Sequence, residues 1–284
     1  FRSKLFSTIQ FPVPRTISTG THKKMSSKEY EEYCLSKIED KLEKDNSIAA
    51  FVMESGAQMA GGVIIYPKNF QKRISQICKK NDVLFVLDEI ATGFGRLGSM
   101  IEYQSQNSTP DIVSFGKMLT GGYQTFAATL TTKKINDSFL GEFSQFKHLF
   151  HGHTYTGNPT AAALSLKNLE LYKKYHLIEK IQKTSKIFKD RLDDISNLDL
   201  VGEIRHQGMV MGIELVQNKN SNKPLSSNIS INKLVFEEGR KHQIYFRTLG
   251  NIIMLVPPLD ISQKDLNFLI DGTISTIKSL SRKL

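Results

Sequence analysis

VLFVLDEIATGFGRLG, residues 83–98, is the stretch from which the rest of the chain can be read. Val83 to Leu87 is short and wholly apolar, as a strand is when helices cover both of its faces. Asp88 ends that run, and Gly93, Gly95 and Gly98 then turn the chain. Upstream, Ile48 to Met53 is a second apolar run. Between the two, Pro67 to Lys80 has helical spacing, with Pro67 suited to the first turn. Strand, helix, strand of this kind predicts a parallel sheet covered by helices. Downstream, Asp111 to Phe115 and Thr125 to Leu130 predict further strands. Ligands of open α/β sheets bind outside the C-terminal ends of the strands, which is where Asp88 falls.

Farther out, residues 1 to 25 read as an irregular entry segment, and Ser27 to Asp45 as an amphipathic helix. Beyond Pro159 the spacing predicts helices over Thr160 to Tyr175 and Leu177 to Ile195, the second rich in lysine on its outer face. Met209 to Val216, Ile244 to Arg247 and Ile252 to Val256 predict strands, with helices at Ile231 to His242 and Gln263 to Leu280. Asn218 to Asn228 is a polar loop. The change of character near Tyr175 predicts two domains, a large one over 1–174 and a smaller α+β one over 175–284.

Composition narrows the classes. The 284 residues are 39% hydrophobic and 23% charged, which excludes disorder and fibrous structure. Glu54 interrupts the longest charge-poor stretch, Ser47 to Pro67, so a membrane span is not expected. The net charge is +10, but the lysines are scattered and few aromatics lie among them, so a nucleic-acid partner is not expected either. Cys34 and Cys78 lack CxxC spacing, which argues against a disulfide framework or zinc and for a reducing, cytoplasmic setting. The first residue is Phe1, with no signal-peptide pattern after it, so a processed chain or a fragment is expected.

Four strings carry chemistry. Gly93, Gly95 and Gly98 spell GxGxxG, but DEIAT separates them from the strand and no acidic residue ends a second strand at the required distance, so a dinucleotide site is set aside. In DIVSFGKMLTGG (111–122), Lys117 follows a strand, where desolvation could free its amine for a Schiff base; an ordinary surface lysine is the plainer reading. Ser114 and Lys117 also spell S-x-x-K, without the partner motifs of serine acylases. In HGHTYTGNP (151–159), His151 and His153 would need a third ligand to hold a metal; none is nominated, so no metal is expected and a phosphate-holding turn suits the string better. Arg247, in RTLGNIIMLVPPL (247–259), is a carboxylate clamp or a surface arginine.

Taken in order, LDEIATGFGR, SFGK, QMAGG after Glu54, the His151 string and the Arg247 string resemble the class III (ornithine/ω-amino acid type) aminotransferases, from about Ser47 to the end. The resemblance implies the fold type I scaffold of pyridoxal 5′-phosphate enzymes, an α/β fold with a mostly parallel sheet, helices on both faces and a smaller C-terminal α+β domain. Within the family the strings look most like the biotin-pathway branch, which converts 7-keto-8-aminopelargonate to 7,8-diaminopelargonate. Other ω-amino acid or diamine aminotransferases, or a non-catalytic remnant, are the alternatives. The resemblance makes Lys117 the Schiff-base lysine and proton carrier, Asp88 the partner of the pyridine nitrogen, and Ile90 a wall of the ring if the strand continues that far. Thr154 would hold the cofactor phosphate of the neighbouring subunit, which implies a homodimer, and Gly152 in the same turn would face substrate. Arg247 would bind the keto-acid carboxylate, with Ala60 where ornithine-type relatives carry a competing Glu. The amine donor would be S-adenosylmethionine or lysine. Two features depart from the pattern. Ser55 and Met59 replace the usual Pro and Gly, and Phe1 lies just beyond a phosphate-binding turn and a Tyr-His-Gly segment that family members carry, so a truncated enzyme, or a split one with a separate N-terminal chain, is expected.

Overall fold

Ser26 opens the first helix, α1 (Ser27–Lys44), through a reciprocal cap: its Oγ accepts from the Glu29 N–H at 3.3 Å while Glu29 Oε2 accepts from the Ser26 N–H at 2.7 Å. The structure, a computed structural model, describes residues 7–14, 25–219, 223–226 and 228–284. Parts of the irregular entry segment and of the polar loop therefore lie outside the described residues. Strand β1 (Ala50–Glu54), helix α2 (Phe70–Lys80) and strand β2 (Leu84–Asp88) form the expected unit, with β1 and β2 parallel. Pro67 precedes α2 instead of entering it, because Asn69 adopts φ 70 and turns the chain just before Phe70. Strand β3 (Ile112–Phe115) joins β2 in parallel, and β4 (Ala128–Thr131) closes the sheet antiparallel.

Alternation along these strands gives the sheet two unlike faces. Phe85, Leu87, Val113 and Phe115 are buried against Cys34, Leu35 and Ile38 of α1 and Phe70 and Ile74 of α2. The opposite face carries the register Val52–Val86–Ile112, and Val52 is 66% exposed. Among the described residues, helices cover one face of this sheet. Ile48 to Met53, read as a strand buried on both sides, is an edge strand.

Helix α3 (Pro159–Lys174) starts as the sequence predicts, Asn158 accepting from the N–H groups of Thr160 and Ala161 ahead of Pro159. The next predicted helix breaks at Arg191 into α4 (Leu177–Asp190) and a short turn at Leu192–Ser196. A second core then forms around an antiparallel sheet. Its strands β5 (Val201–Gln207), β6 (Val210–Asn218), β7 (Arg247–Leu249) and β8 (Ile252–Leu255) lie in the order β7-β8-β6-β5. Helices α4, α5 (Ile231–Lys241) and α6 (Gln263–Ser281) cover it, burying Ile181, Phe188, Val235 and Ile270 against Met209, Met211 and Ile213. Strand β5 was not expected, and the predicted strand Ile244 to Arg247 exists only from Arg247 onward.

The glycine loop after Asp88 is the seam between the two cores. The Met209 N–H donates to Arg96 O at 2.9 Å, and Arg96 Nη1 donates to Met209 O at 3.1 Å and Pro257 O at 2.7 Å. Burial pushes the Arg96 guanidinium down to about 10. The GxGxxG spacing thus serves close backbone contact with the second core. Gly95, at φ 89, has Ile181 Cδ1 only 2.6 Å from where a Cβ would sit.

Below the seam lies a buried polar network. Glu89 Oε2 and Oε1 accept from the N–H groups of Glu102 and Tyr103, and Glu102 accepts from Ser99, Gln106 and Gln207. Burial, the leading cause, raises the Glu102 carboxyl above its ordinary 4.5 against those hydrogen bonds. The folded chain then holds this proton more tightly than the unfolded one. Its stabilising contribution is full below 4.5 and is lost as pH rises through the raised native value. Glu102→Gln keeps the shape and removes the titration, so its melting temperature should gain on wild type as pH goes from acidic to neutral. A pH-independent difference would refute this assignment.

Candidate active site

Parallel register delivers the polar groups. Glu54 and Asp88 end β1 and β2, and Ser114, one residue before the end of β3, lies level with them, since Glu54 pairs with Asp88 and Asp88 with Ser114. Successive residues of a strand point to opposite faces, so these three share the face opposite the α1–α2 core. Lys117 follows β3 at once, at the head of a 3-10 turn over Lys117–Thr120. The hairpin of Ala57–Gln58 and Ile64–Ile65 folds back beside them, and Glu54 Oε2 accepts from the Met59 N–H at 3.0 Å. Burial raises the Glu54 carboxyl, the N–H groups of Met59 and Ala60 lower it, and nearby Asp88 and Lys117 act in opposite senses.

Glu54 and Lys117 border a cleft of about 780 Å³ between the two cores. Lys117, Glu54, Met59 and Ala60 line one side, and Arg247 and Met254 from the β7–β8 hairpin line the other. Arg247 pairs in register with Met254, which fixes the hairpin that carries the guanidinium. Most of the wall is apolar, including Met118, Leu249 and Phe268. The cleft can therefore hold a flexible aliphatic molecule with an anionic end at Arg247 and a reactive centre at Lys117.

The structure thus brings Lys117 and Arg247 together and sets Asp88 beside them through Glu54. Lys117 is exposed, so the desolvation invoked for its amine is not provided by the described residues, whose sheet face is open above it. Ile90 lies beyond the strand, contrary to the reading that the strand continues to it. The Asp88 side chain accepts from the Ile90 N–H at 2.7 Å and turns the chain, which lays Ile90 Cγ2 3.3 Å from a notional Gly116 Cβ. Gly152 and Thr154 are exposed and stand apart from the cleft lining, and among the described residues no third metal ligand joins His151 and His153.

Glu54 and Arg96 were missed. Glu54 ends its apolar run as Asp88 ends the next, a parity that the sequence displays; Arg96 had no such signal. Ser55 also gains a meaning. It is fully buried, its Oγ accepts from Gln71 Nε2 at 3.1 Å and bonds Glu89, and its N–H donates to Asp88 O at 2.9 Å. A proline there could make neither contact. Met59 is 7% exposed and packs with Ala57, Val63 and Val210.

The sequence matches the family described as Aminotransferase class-III over residues 2–277. The chain belongs to the class-III aminotransferases. It is 36% identical to the adenosylmethionine-8-amino-7-oxononanoate aminotransferase of Aquifex aeolicus, with 100% of this chain and 62% of that protein aligned. The crystal structure of the Methanocaldococcus jannaschii protein of the same name superposes with a TM-score of 0.83 at 41% identity, covering 88% of this chain and 58% of that one. A chloroplastic gamma aminobutyrate transaminase 3 of Solanum lycopersicum is 35% identical over 80% of this chain and 44% of its own length. The chain therefore spans about three fifths of the length of the Aquifex aeolicus and Methanocaldococcus jannaschii relatives, and its mixed, mostly parallel sheet with flanking helices is that of fold type I.

Proposed function

We propose that this chain carries the lysine-bearing part of an aminotransferase that transfers an amino group to 7-keto-8-aminopelargonate, giving 7,8-diaminopelargonate for biotin synthesis. The observation that carries the reading is the placement of Lys117 and Arg247 across one apolar cleft. The relatives named for that reaction support it.

Class III aminotransferases are pyridoxal phosphate enzymes, and the residues here fit that group: a lysine amine, a carboxylate beside it, and a small residue, Gly116, under Ile90 where a Cβ would crowd. When bound, the cofactor supplies an electron sink for a carbanion. Lys117 would hold it through its amine, and the same amine would serve as the base that moves the substrate proton. Asp88 would pair with its pyridine nitrogen, and Ile90 would wall its ring. Arg247 takes the keto-acid carboxylate by two parallel N–H bonds, with S-adenosylmethionine or lysine as amine donor. Glu54 shapes the turn at Met59 and Ala60 that forms the cleft wall.

Gly152 and Thr154, exposed in one chain, serve the site of a second copy, so the working unit is a homodimer. Phe143, Phe146 and Phe150, 80%, 68% and 77% exposed, form an apolar ridge in the segment leading to that turn, which supports such an interface. Residues 1–174 form the cofactor domain and 175–284 the small domain. Buried free Cys34 and Cys78, and no helix among the described residues long and apolar enough to cross a membrane, accord with a cytoplasmic location.

Steady-state assay of the complete enzyme tests the substrate. Arg247→Met should raise KM for the keto acid roughly 30-fold, from the ~2 kcal/mol of a charge-assisted bond. An unchanged KM would remove Arg247 from the site. The similarity to a gamma aminobutyrate transaminase favours a second reading, a different ω-amine substrate. Turnover of an ω-amino acid with none of the pelargonate would establish it.

A further inference from the structure

Lys117 is held in a conformation that it does not favour. Its φ of 43 lies in the left-handed region, where a residue with a Cβ is strained by about 1–2 kcal/mol. Such strain persists only where the surroundings impose it. Gly116 before it is extended, and Gly121, at φ 62, closes the turn behind it. The turn's own bonds, Leu119 N–H to Gly116 O and Gly121 N–H to Met118 O, leave it a single short loop.

Helix α3 supplies the constraint. Ala161, Ser165, Asn168 and Tyr172 recur at four, three and four residues and form its inward stripe. Two of these side chains reach functional loops. Tyr172 Oη donates to Phe94 O at 2.8 Å, on the loop after Asp88. Asn168 Nδ2 donates to Met118 O at 2.6 Å and to Leu119 O at 3.3 Å, on the turn that begins with Lys117. Asn168 Oδ1 lies 3.3 Å from a notional Gly121 Cβ, so the amide fits closely against the turn. The amide nitrogen of Asn168 thus serves two carbonyls of this one turn.

We propose that Asn168 is a positioning residue for Lys117. Its amide pins the carbonyls of Met118 and Leu119, keeps Lys117 in its left-handed conformation, and so aims the amine into the cleft. It touches no reacting atom. This rests on the reading of Lys117 as the amine that attaches the cofactor.

The test uses the full chain as wild type, Asn168→Asp, Asn168→Ala and Asn168→Gln. Each is incubated with pyridoxal 5′-phosphate and reduced with borohydride, and capture at Lys117 is measured against surface lysines by peptide mapping. Hydrogen exchange of the peptide spanning Lys117–Gly122 is followed without cofactor. Asn168→Asp keeps the shape and loses both donors. It and Asn168→Ala should lower selective capture about tenfold and speed exchange by a like factor, the size expected for losing such hydrogen bonds. Asn168→Gln should restore much of both. A purely structural asparagine would lower the melting temperature and leave selective capture unmoved. Wild-type capture and exchange in Asn168→Asp and Asn168→Ala overturn the proposal, as does a folded Asn168→Gln that behaves like Asn168→Ala. Should wild-type Lys117 react no better than surface lysines, the cofactor reading falls, and the exchange comparison still decides whether Asn168 holds the turn.

Discussion

Lys117→Ala is expected to leave a folded protein whose complete enzyme has lost transaminase activity by about a thousandfold or more, the range for removing a positioned proton carrier. The fold should survive because Lys117 is exposed and makes no ion pair among the described residues. A comparison with Lys117→Gly sharpens the test. Alanine at φ 43 keeps the strain of a Cβ, whereas glycine relieves it, so the glycine variant should melt above the alanine one while being equally inactive. Activity within tenfold of wild type in either variant would transfer the role to another amine. An alanine variant that melts above the glycine one would contradict the strained backbone on which the positioning by Asn168 depends.

The largest effect on stability is expected at Gly208. Its φ is 58, and a Cβ there would lie 2.4 Å from Leu97 C, 2.6 Å from Arg96 O and 2.6 Å from Gly98 N. All three are backbone atoms and cannot swing aside. Gly208→Ala must therefore part the two cores at their seam, which loses the Met209–Arg96 bonds and deprives buried Arg96 of acceptors. Left-handed strain and overpacking together cost about 3 kcal/mol or more. For a chain of this size that is a fall of roughly 6–12 °C in Tm, with the two cores melting in separate steps. Gly250→Ala is the matched control. Gly250 has φ 56 but nothing within 4 Å of its notional Cβ, so only the left-handed strain of about 1 kcal/mol applies. Equal, small shifts in both variants would mean that the seam is loose.

Legibility in the sequence follows physical lines. The strands carrying Asp88 and preceding Lys117 were legible because each is a short apolar run bounded by turn residues. Strand β5 was not, since its alternation runs through Glu203, Arg205 and His206. Its charges neutralise one another only after folding, when Arg205 pairs with Glu203 and, at 2.8 Å, with Glu214 of β6. Ile244 and Phe246 deceived in the opposite way. They are buried and apolar, but Gln243 at φ 61 and the bond from Ile244 N–H to Gly239 O hold that segment as a turn against α5. At the site, Lys117, Asp88 and Arg247 are chemically conspicuous residues at strand ends. Asn168 and Arg96 act on carbonyls far away in sequence, and no local pattern distinguishes them from ordinary helix and loop residues.

Ser55 ties position 55 to three neighbours at once. Its hydroxyl answers Gln71, which also serves Ser108 and the Gly56 N–H, and its amide adds a rung between two strands that a proline would delete. A chimera that grafted a Glu-Pro turn into this background would cost the buried Gln71 amide one of its two hydroxyl acceptors, leaving it Ser108 alone. A Ser55→Pro exchange in this chain therefore removes the Gln71 and Glu89 contacts of the hydroxyl together with the N–H bond to Asp88 O.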